Sequence, residues 1–285
     1  MTTARAAREL AWPDLVWSHF SRPRFGAFDE RVEAAAGAGF AAIGLYLYEY
    51  ERLRNEERRS NAALAAQLDA HGLCIAEIEA LKGWWAVDGT ESAAFEHAES
   101  LAFQIADGLG ARYLQVIGPY DCTFAQAADR LGGLCDRAAR YGLLVGIEWL
   151  PYTNIPSAAS AQQLVEAIGR PNLGYCADIW HHVRGANDEG MLRALPGDRI
   201  FAVQMNDGPL APTLADYKDD CLATRVPPGE GEFDCTGFLR TLRNLGVTAP
   251  ISLEIASTEL WKLPAAETAR RAVDGIHAVL AALDA

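Results

Sequence analysis

The sequence predicts an α/β fold of the (β/α)8 TIM-barrel class, and three observations carry that expectation. Eight short apolar runs alternate with eight longer, Ala-rich amphipathic stretches along 285 residues, the pattern of parallel α/β proteins. Eight units in a chain of this length favour closure into a barrel over an open sheet. Four successive runs, LLVGIE, LGYCAD, IFAVQ and PISLE, end in an oxygen-bearing side chain: Glu148, Asp178, Gln204 and Glu254. Their spacings of 30, 26 and 50 residues fit one strand–helix unit per step, the last with a long loop added.

In order, strands are expected near 10–18 (LAWPDLVWS), 41–47 (AAIGLYL), 73–80 (LCIAEIEA), 112–117 (RYLQVI), 143–149, 173–178, 199–205 and 250–255. Each is a short apolar run bounded by turn residues. Helical periodicity falls near 29–38, 55–71, 91–109, 123–141, 157–169, 188–195, 234–245 and 264–283. Asp29, Thr123, Ser157 and Asp234 stand where N-caps belong, because a side-chain oxygen there can accept an orphan helical N–H. Gly39, Gly72, Gly110, Gly142 and Gly246 stand just past helix ends, where left-handed backbone is needed. No linker or low-complexity tract divides the chain, so residues 1–285 are expected to form one domain. The connection 206–233 is too long for routine use and is expected to serve the site.

Net charge is −13, from 25 basic and 38 acidic residues, and no basic run occurs. That argues against nucleic acid, whose phosphates are bound through Lys and Arg, and against anionic membranes. The three lysines, Lys82, Lys218 and Lys262, lie outside the predicted strands, which disfavours Schiff-base chemistry. Six cysteines without a C-x-x-C pair read as free thiols of a reducing compartment. With no apolar leader in MTTARAAREL and no apolar stretch of 18 residues, a cytoplasmic protein is expected. Its partner is expected to be a small molecule, and pairing into a homo-oligomer is compatible with the sequence.

Equivalent strand ends of a barrel converge on its catalytic face. Three carboxylates and an amide there would repel one another without a divalent cation between them. Oxygen-only donors suit Mg2+ or Mn2+ better than zinc or copper. In D-I-W-H-H-V-R-G, His181 lies three residues past Asp178, in reach of a bound substrate as donor or general acid/base. Arg184 could clamp a carboxylate or a pair of hydroxyls, and His19, after the first strand, could face the same mouth. Trp17, Trp84, Trp85, Trp149, Trp180 and Trp261 fall at or just past strand ends, and indole faces stack on sugars and cyclic polyols. We place Trp84 and Trp149 among the substrate-binding candidates. After the last strand the chain runs IASTELWKLP without glycine, and the GEGE of the preceding loop is acidic. A non-phosphorylated substrate follows.

The motifs IEWLP at Glu148, D-x-x-H at Asp178 and His181, VQMND at Gln204 and Asp207, PGEGEFD at 228–234 and SLEI at Glu254 resemble those of the xylose isomerase-like barrel superfamily over nearly the whole chain. The resemblance implies that Glu148, Asp178, Gln204 and Glu254 bind one divalent metal and that Glu148 and Glu254 serve as acid and base. It adds Asp207 to the substrate-binding candidates. Gln204 stands where many members place histidine, and Gly44 where many carry a strand-2 glutamate. The implied function is isomerisation or epimerisation of a keto-sugar or related hydroxyketone through an enediolate. The alternative is a metal-dependent lyase: a dehydration of dehydroshikimate or inosose type, or C-glycoside cleavage, from the same enolate. A barrel that binds a polyol without turnover is the third reading.

Overall fold

Each apolar run becomes one stave of a closed parallel barrel. A computed structural model describes residues 6–285 and places β1 (Leu15–Trp17), β2 (Ala42–Tyr46), β3 (Ile75–Leu81), β4 (Tyr113–Ile117), β5 (Leu144–Glu148), β6 (Leu173–Asp178), β7 (Ile200–Met205) and β8 (Ile251–Leu253) in sequence order around the ring. Pairing of β1 with β8, Val16 opposite Ser252, closes it.

Around the ring run α1 (Phe28–Ala38), α2 (Leu47–Asn55), α3 (Asn61–Ala70), α4 (Gly89–Leu109), α5 (Phe124–Ala139), α6 (Ala158–Ile168), α7 (Ile179–Val183), α8 (Glu189–Arg193), α9 (Tyr217–Ala223), α10 (Cys235–Asn244) and α11 (Ala265–Asp284). Thr123, Ser157 and Asp234 cap α5, α6 and α10 through their side chains, as expected. Asp29 does not cap α1: Ala27 holds that position, and Asp29 sits in the first turn, where its charge suits the helix dipole. Of the single helix expected over 55–71 only α3 forms, and α2 precedes it, ending at Asn55. Arg58 turns left-handed (φ 57°) and Ser60 starts α3 by accepting from Ala63 N, so the periodicity restarts there. The short helices α7 and α9 lie in segments expected to be loop. The first five residues of the expected domain, and of MTTARAAREL, lie outside the described residues.

Alternation along each strand divides the barrel into two environments. Outward, Val116, Ile147, Val203 and Leu253 join Leu131, Leu164, Leu239 and Ile276 of the helices in one apolar cluster. Inward, polar residues sit among small apolar ones such as Val16, Ala42 and Ala202. Ser252 of β8 donates to Glu77 of β3 (2.8 Å), and Gln115 of β4 donates to Glu148 (2.6 Å). Bonds between β8 and β3 cross the ring, so these side chains fill its interior. Glu79, two residues beyond Glu77, accepts from Ser18 Oγ (2.8 Å) and His19 N (3.0 Å). Gly44 is what admits it: a Cβ there would lie 1.6 Å from Glu79 Oε1.

Candidate active site

The strand ends converge as the spacing predicts. Register sets Asp178 opposite Gln204 on the β6–β7 ladder, and Gln204 opposite Ser252 on β7–β8, two residues before Glu254. Glu148, Asp178, Gln204 and Glu254 are all buried. Turned so that its NH2 faces the glutamates, the Gln204 amide donates to Glu148 Oε1 (3.2 Å) and Glu254 Oε2 (3.3 Å). Turned the other way, its carbonyl oxygen accepts from Cys176 Sγ (3.2 Å) and joins the carboxylates as a further oxygen facing the centre. Asp178 Oδ1 is anchored by Trp180 N (2.8 Å) and Asn206 Nδ2 (2.9 Å), and Gln115 holds Glu148 Oε2. The outer oxygens of both therefore stay aimed inward.

His181, on α7 directly after Asp178, brings Nε2 to 3.4 Å from Glu148 Oε1 and 3.6 Å from Asp178 Oδ2. One ligand atom each from Glu148, Asp178 and His181 lies within 4.8 Å of the other two, and all three residues are buried. This group is fit to hold a cation, with Gln204 and Glu254 at its edge. An imidazole nitrogen beside the oxygens widens the range of suitable metals beyond the hard ions.

Sequence reasoning missed Arg225. It comes from the long loop after β7, is 2% exposed, and sets Nη1 3.0 Å from both Asp178 Oδ2 and Glu254 Oε2. Nothing in LATRVPPGE marks it, because the loop has no period from which a side chain's direction can be read. Glu77 and Glu79, by contrast, carry a signal in A-E-I-E-A: two acids at strand period share one face.

Burial, followed by the charges of Glu254 and Asp178, raises the Glu148 carboxyl well above its usual range. Glu254 is pushed up to about 8, first by burial and then by Asp178, with Arg225 opposing. Burial would raise Asp178 as well, but Arg225 and then His181 hold it below the ordinary value. Burial lowers His181 to about 3, so its ring is neutral. The pocket thus contains two reluctant carboxylates, one firm carboxylate and a neutral imidazole. Such separated tendencies allow proton donor and acceptor to coexist at one pH.

The remaining candidates are committed elsewhere. His19 places Nε2 2.8 Å from Arg24 O and Nδ1 3.0 Å from Arg31 Nη1, which leaves no ring nitrogen for a substrate. Arg184 binds Asp220 Oδ2 (2.7 Å) and Pro209 O (3.1 Å), tying the β7 loop down instead of clamping a ligand. Asp207 accepts from Gly208 N, Gly229 N and Phe233 N, which makes it an organiser of that loop. Trp84 is buried with Nε1 on Ile117 O (3.0 Å), and Trp149 is buried in the apolar cluster. Both pack the rim.

The family profile described as "Xylose isomerase-like TIM barrel" matches residues 32–279. The 3-dehydroshikimate dehydratase of Pseudomonas aeruginosa is 30% identical over 263 residues, which cover 90% of this chain and 40% of that protein. The inosose isomerase of Bacillus velezensis is 31% identical over 157 residues, 54% of each chain. The chain thus spans only about 40% of the length of the Pseudomonas relatives it matches. Among solved structures, the IOLI protein with a binding zinc atom superposes with a TM-score of 0.84 at 20% identity, covering 95% of this chain and 99% of that one. The probable 3-DHS dehydratase AsbF of Bacillus anthracis gives 0.71 at 18% identity, covering 90% and 97%. No helix among the described residues is long and apolar enough to cross a membrane. The chain belongs to the xylose isomerase-like TIM barrel family.

Proposed function

We propose that this chain is a divalent-metal-dependent lyase that dehydrates 3-dehydroshikimate or a similarly hydroxylated, non-phosphorylated cyclic ketone. The observation that carries the reading is the convergence of Glu148 and Glu254 beside neutral His181 in one buried pocket. Glu148, Asp178, Gln204 and Glu254 would hold the metal, with His181 Nε2 next to them, and these oxygens suit Mn2+ or Mg2+. When bound, a divalent cation supplies the positive charge that polarises a ketone and stabilises the enolate.

The chain's own residues account for the proton movements. Glu148, steadied by Gln115 on one oxygen, presents the other as the base for the proton beside the carbonyl. Loss of the β-hydroxyl then needs a donor, and the neutral imidazole of His181 would serve within the same pocket. Arg225 steadies Glu254 and Asp178 throughout. A protonated Glu254 can return a proton at the adjacent carbon, which gives isomerisation or epimerisation without loss of water.

Dehydration ranks first because the dehydratase match covers 90% of this chain, against about half for the isomerases. Isomerisation of an inosose or keto-sugar is the second reading, supported by that partial match. Purified protein, assayed for metal content, should be offered 3-dehydroshikimate, inososes and keto-sugars with manganese added. Dehydration appears as ultraviolet absorbance of the aromatic product, and isomerisation as solvent deuterium at the α-carbon without it. Metal-loaded protein inert toward all of these overturns both readings.

A further inference from the structure

We propose that the cleft between the start of α1 and the start of α11 is a binding site for a small monovalent anion, of chloride or short carboxylate size, with Arg31 as its chief ligand. The cleft is separate from the proposed metal centre: Glu148, Asp178, His181, Gln204 and Glu254 all lie outside its lining.

Arg31 is 5% exposed, and its Nη2 meets no acceptor. Its Nη1 donates to His19 Nδ1 (3.0 Å), which leaves Nε2–H of that ring to donate to Arg24 O (2.8 Å). Arg225 and Arg184 are likewise sequestered, and each meets a carboxylate: Asp178 and Glu254 for the first, Asp220 for the second. Among the described residues Arg31 forms no such pair, and Glu79 and Glu49 act on it only from a distance. A guanidinium withdrawn from water without a counterion is costly. Burial accordingly pulls Arg31 down to about 10, against the opposing effect of those two acids.

Arg31 opens onto a cleft of about 170 Å3, room for a two-carbon carboxylate. Arg22, Glu30 and Glu49 are the other charged side chains of its lining. Glu49 is already gripped by Arg52 through Nε and Nη2 (2.8 Å each). Glu30 offsets Arg22, which gives its Nη1 to Leu263 O (3.1 Å). One positive charge, that of Arg31, is left over, so a monovalent anion balances the cleft and a divalent one does not. Ala27 begins α1 without a side-chain cap and lines the same cleft, which adds the positive end of an 11-residue helix. An anion on Nη2 would hold the guanidinium against His19, whose backbone N–H donates to Glu79 (3.0 Å).

The test follows the 35Cl line width as sodium chloride is titrated into the full chain, after EDTA treatment and again with zinc added. Wild type should broaden the line in both states. Acetate should narrow it again by competition, and sulfate at equal ionic strength should not. Arg31→Gln should weaken chloride binding about tenfold or more, as expected for loss of one charged hydrogen bond. Arg22→Gln should weaken it less. Arg193→Gln, which removes an exposed arginine paired with Glu189, should change nothing. Circular dichroism checks the fold of each variant; should Arg31→Gln not fold, Arg31→Lys carries the comparison, with binding weaker than wild type. Broadening that is absent in wild type, undiminished by loss of the Arg31 guanidinium, or lost equally in Arg193→Gln overturns the proposal. Sulfate competing as well as acetate overturns the monovalent assignment. Broadening that needs zinc belongs to the metal centre, and overturns the anion cleft while leaving the proposed function standing.

Discussion

On the outer faces of β4 and β5, Val116 and Ile147 meet Leu131 and Leu164 in an apolar shell. On the inner faces of the same strands, Gln115 grips Glu148, and across the ring Ser252 grips Glu77. One backbone thus separates a region that supplies stability from one that stores charge. Barrel interiors are more often filled by branched aliphatics. Polar groups sealed inside cost free energy unless each finds a partner, so the interior has only paired solutions to choose from. The shell can absorb changes of shape, whereas the interior transmits a change at one residue to its neighbours.

The largest test of this contrast is Glu148→Gln, which keeps the shape and removes the proposed base. Steady-state assays with 3-dehydroshikimate, the proposed substrate, should show activity about 10²- to 10⁴-fold lower, with the melting temperature little changed or raised. Arg225→Ala should cost about 3–5 kcal/mol in denaturant unfolding of metal-free protein, because Asp178 and Glu254 are left facing each other. Added manganese should restore part of that loss, and an equal loss with and without manganese would argue that no cation enters. In the shell, Leu239→Ala should cost about 2–5 kcal/mol of stability by the same measurement while leaving metal affinity unchanged. Gly44→Ala should cost about 1–3 kcal/mol, since Glu79 has to move out of its slot.

The last test of the contrast is on pH. Glu254 in the folded chain keeps its proton up to about 8, against 4.5 ordinarily. The folded state therefore binds that proton more tightly between those values, and its stability falls as pH rises across the window. Melting curves of metal-free protein from about pH 5 to about pH 8 should drift downward, and Glu254→Gln should flatten them.

The barrel was legible because eight apolar runs and their glycine stops repeat a unit with few alternatives. Glu148, Asp178, Gln204 and Glu254 were legible because a strand end fixes where a side chain goes. Arg225 was not, since it reaches Asp178 across 47 residues of sequence from a loop without period. The partners of His19 and Arg184 were hidden for the same reason: being near the mouth says nothing about which buried groups a nitrogen meets. The expected strand 41–47 ran one residue into α2, whose Leu47–Asn55 fell in the gap before the helix expected at 55–71, and of that helix only α3 forms.

Gly44 and Glu79 occupy a single volume between them, the second filling what the first leaves open. Descendants of this chain therefore cannot explore the two positions independently. A lineage that acquires a bulky residue at 44 must first have shortened 79, and the reverse order passes through an impaired ancestor. The order of mutation, as well as its outcome, is written into the spacing of two neighbouring strands.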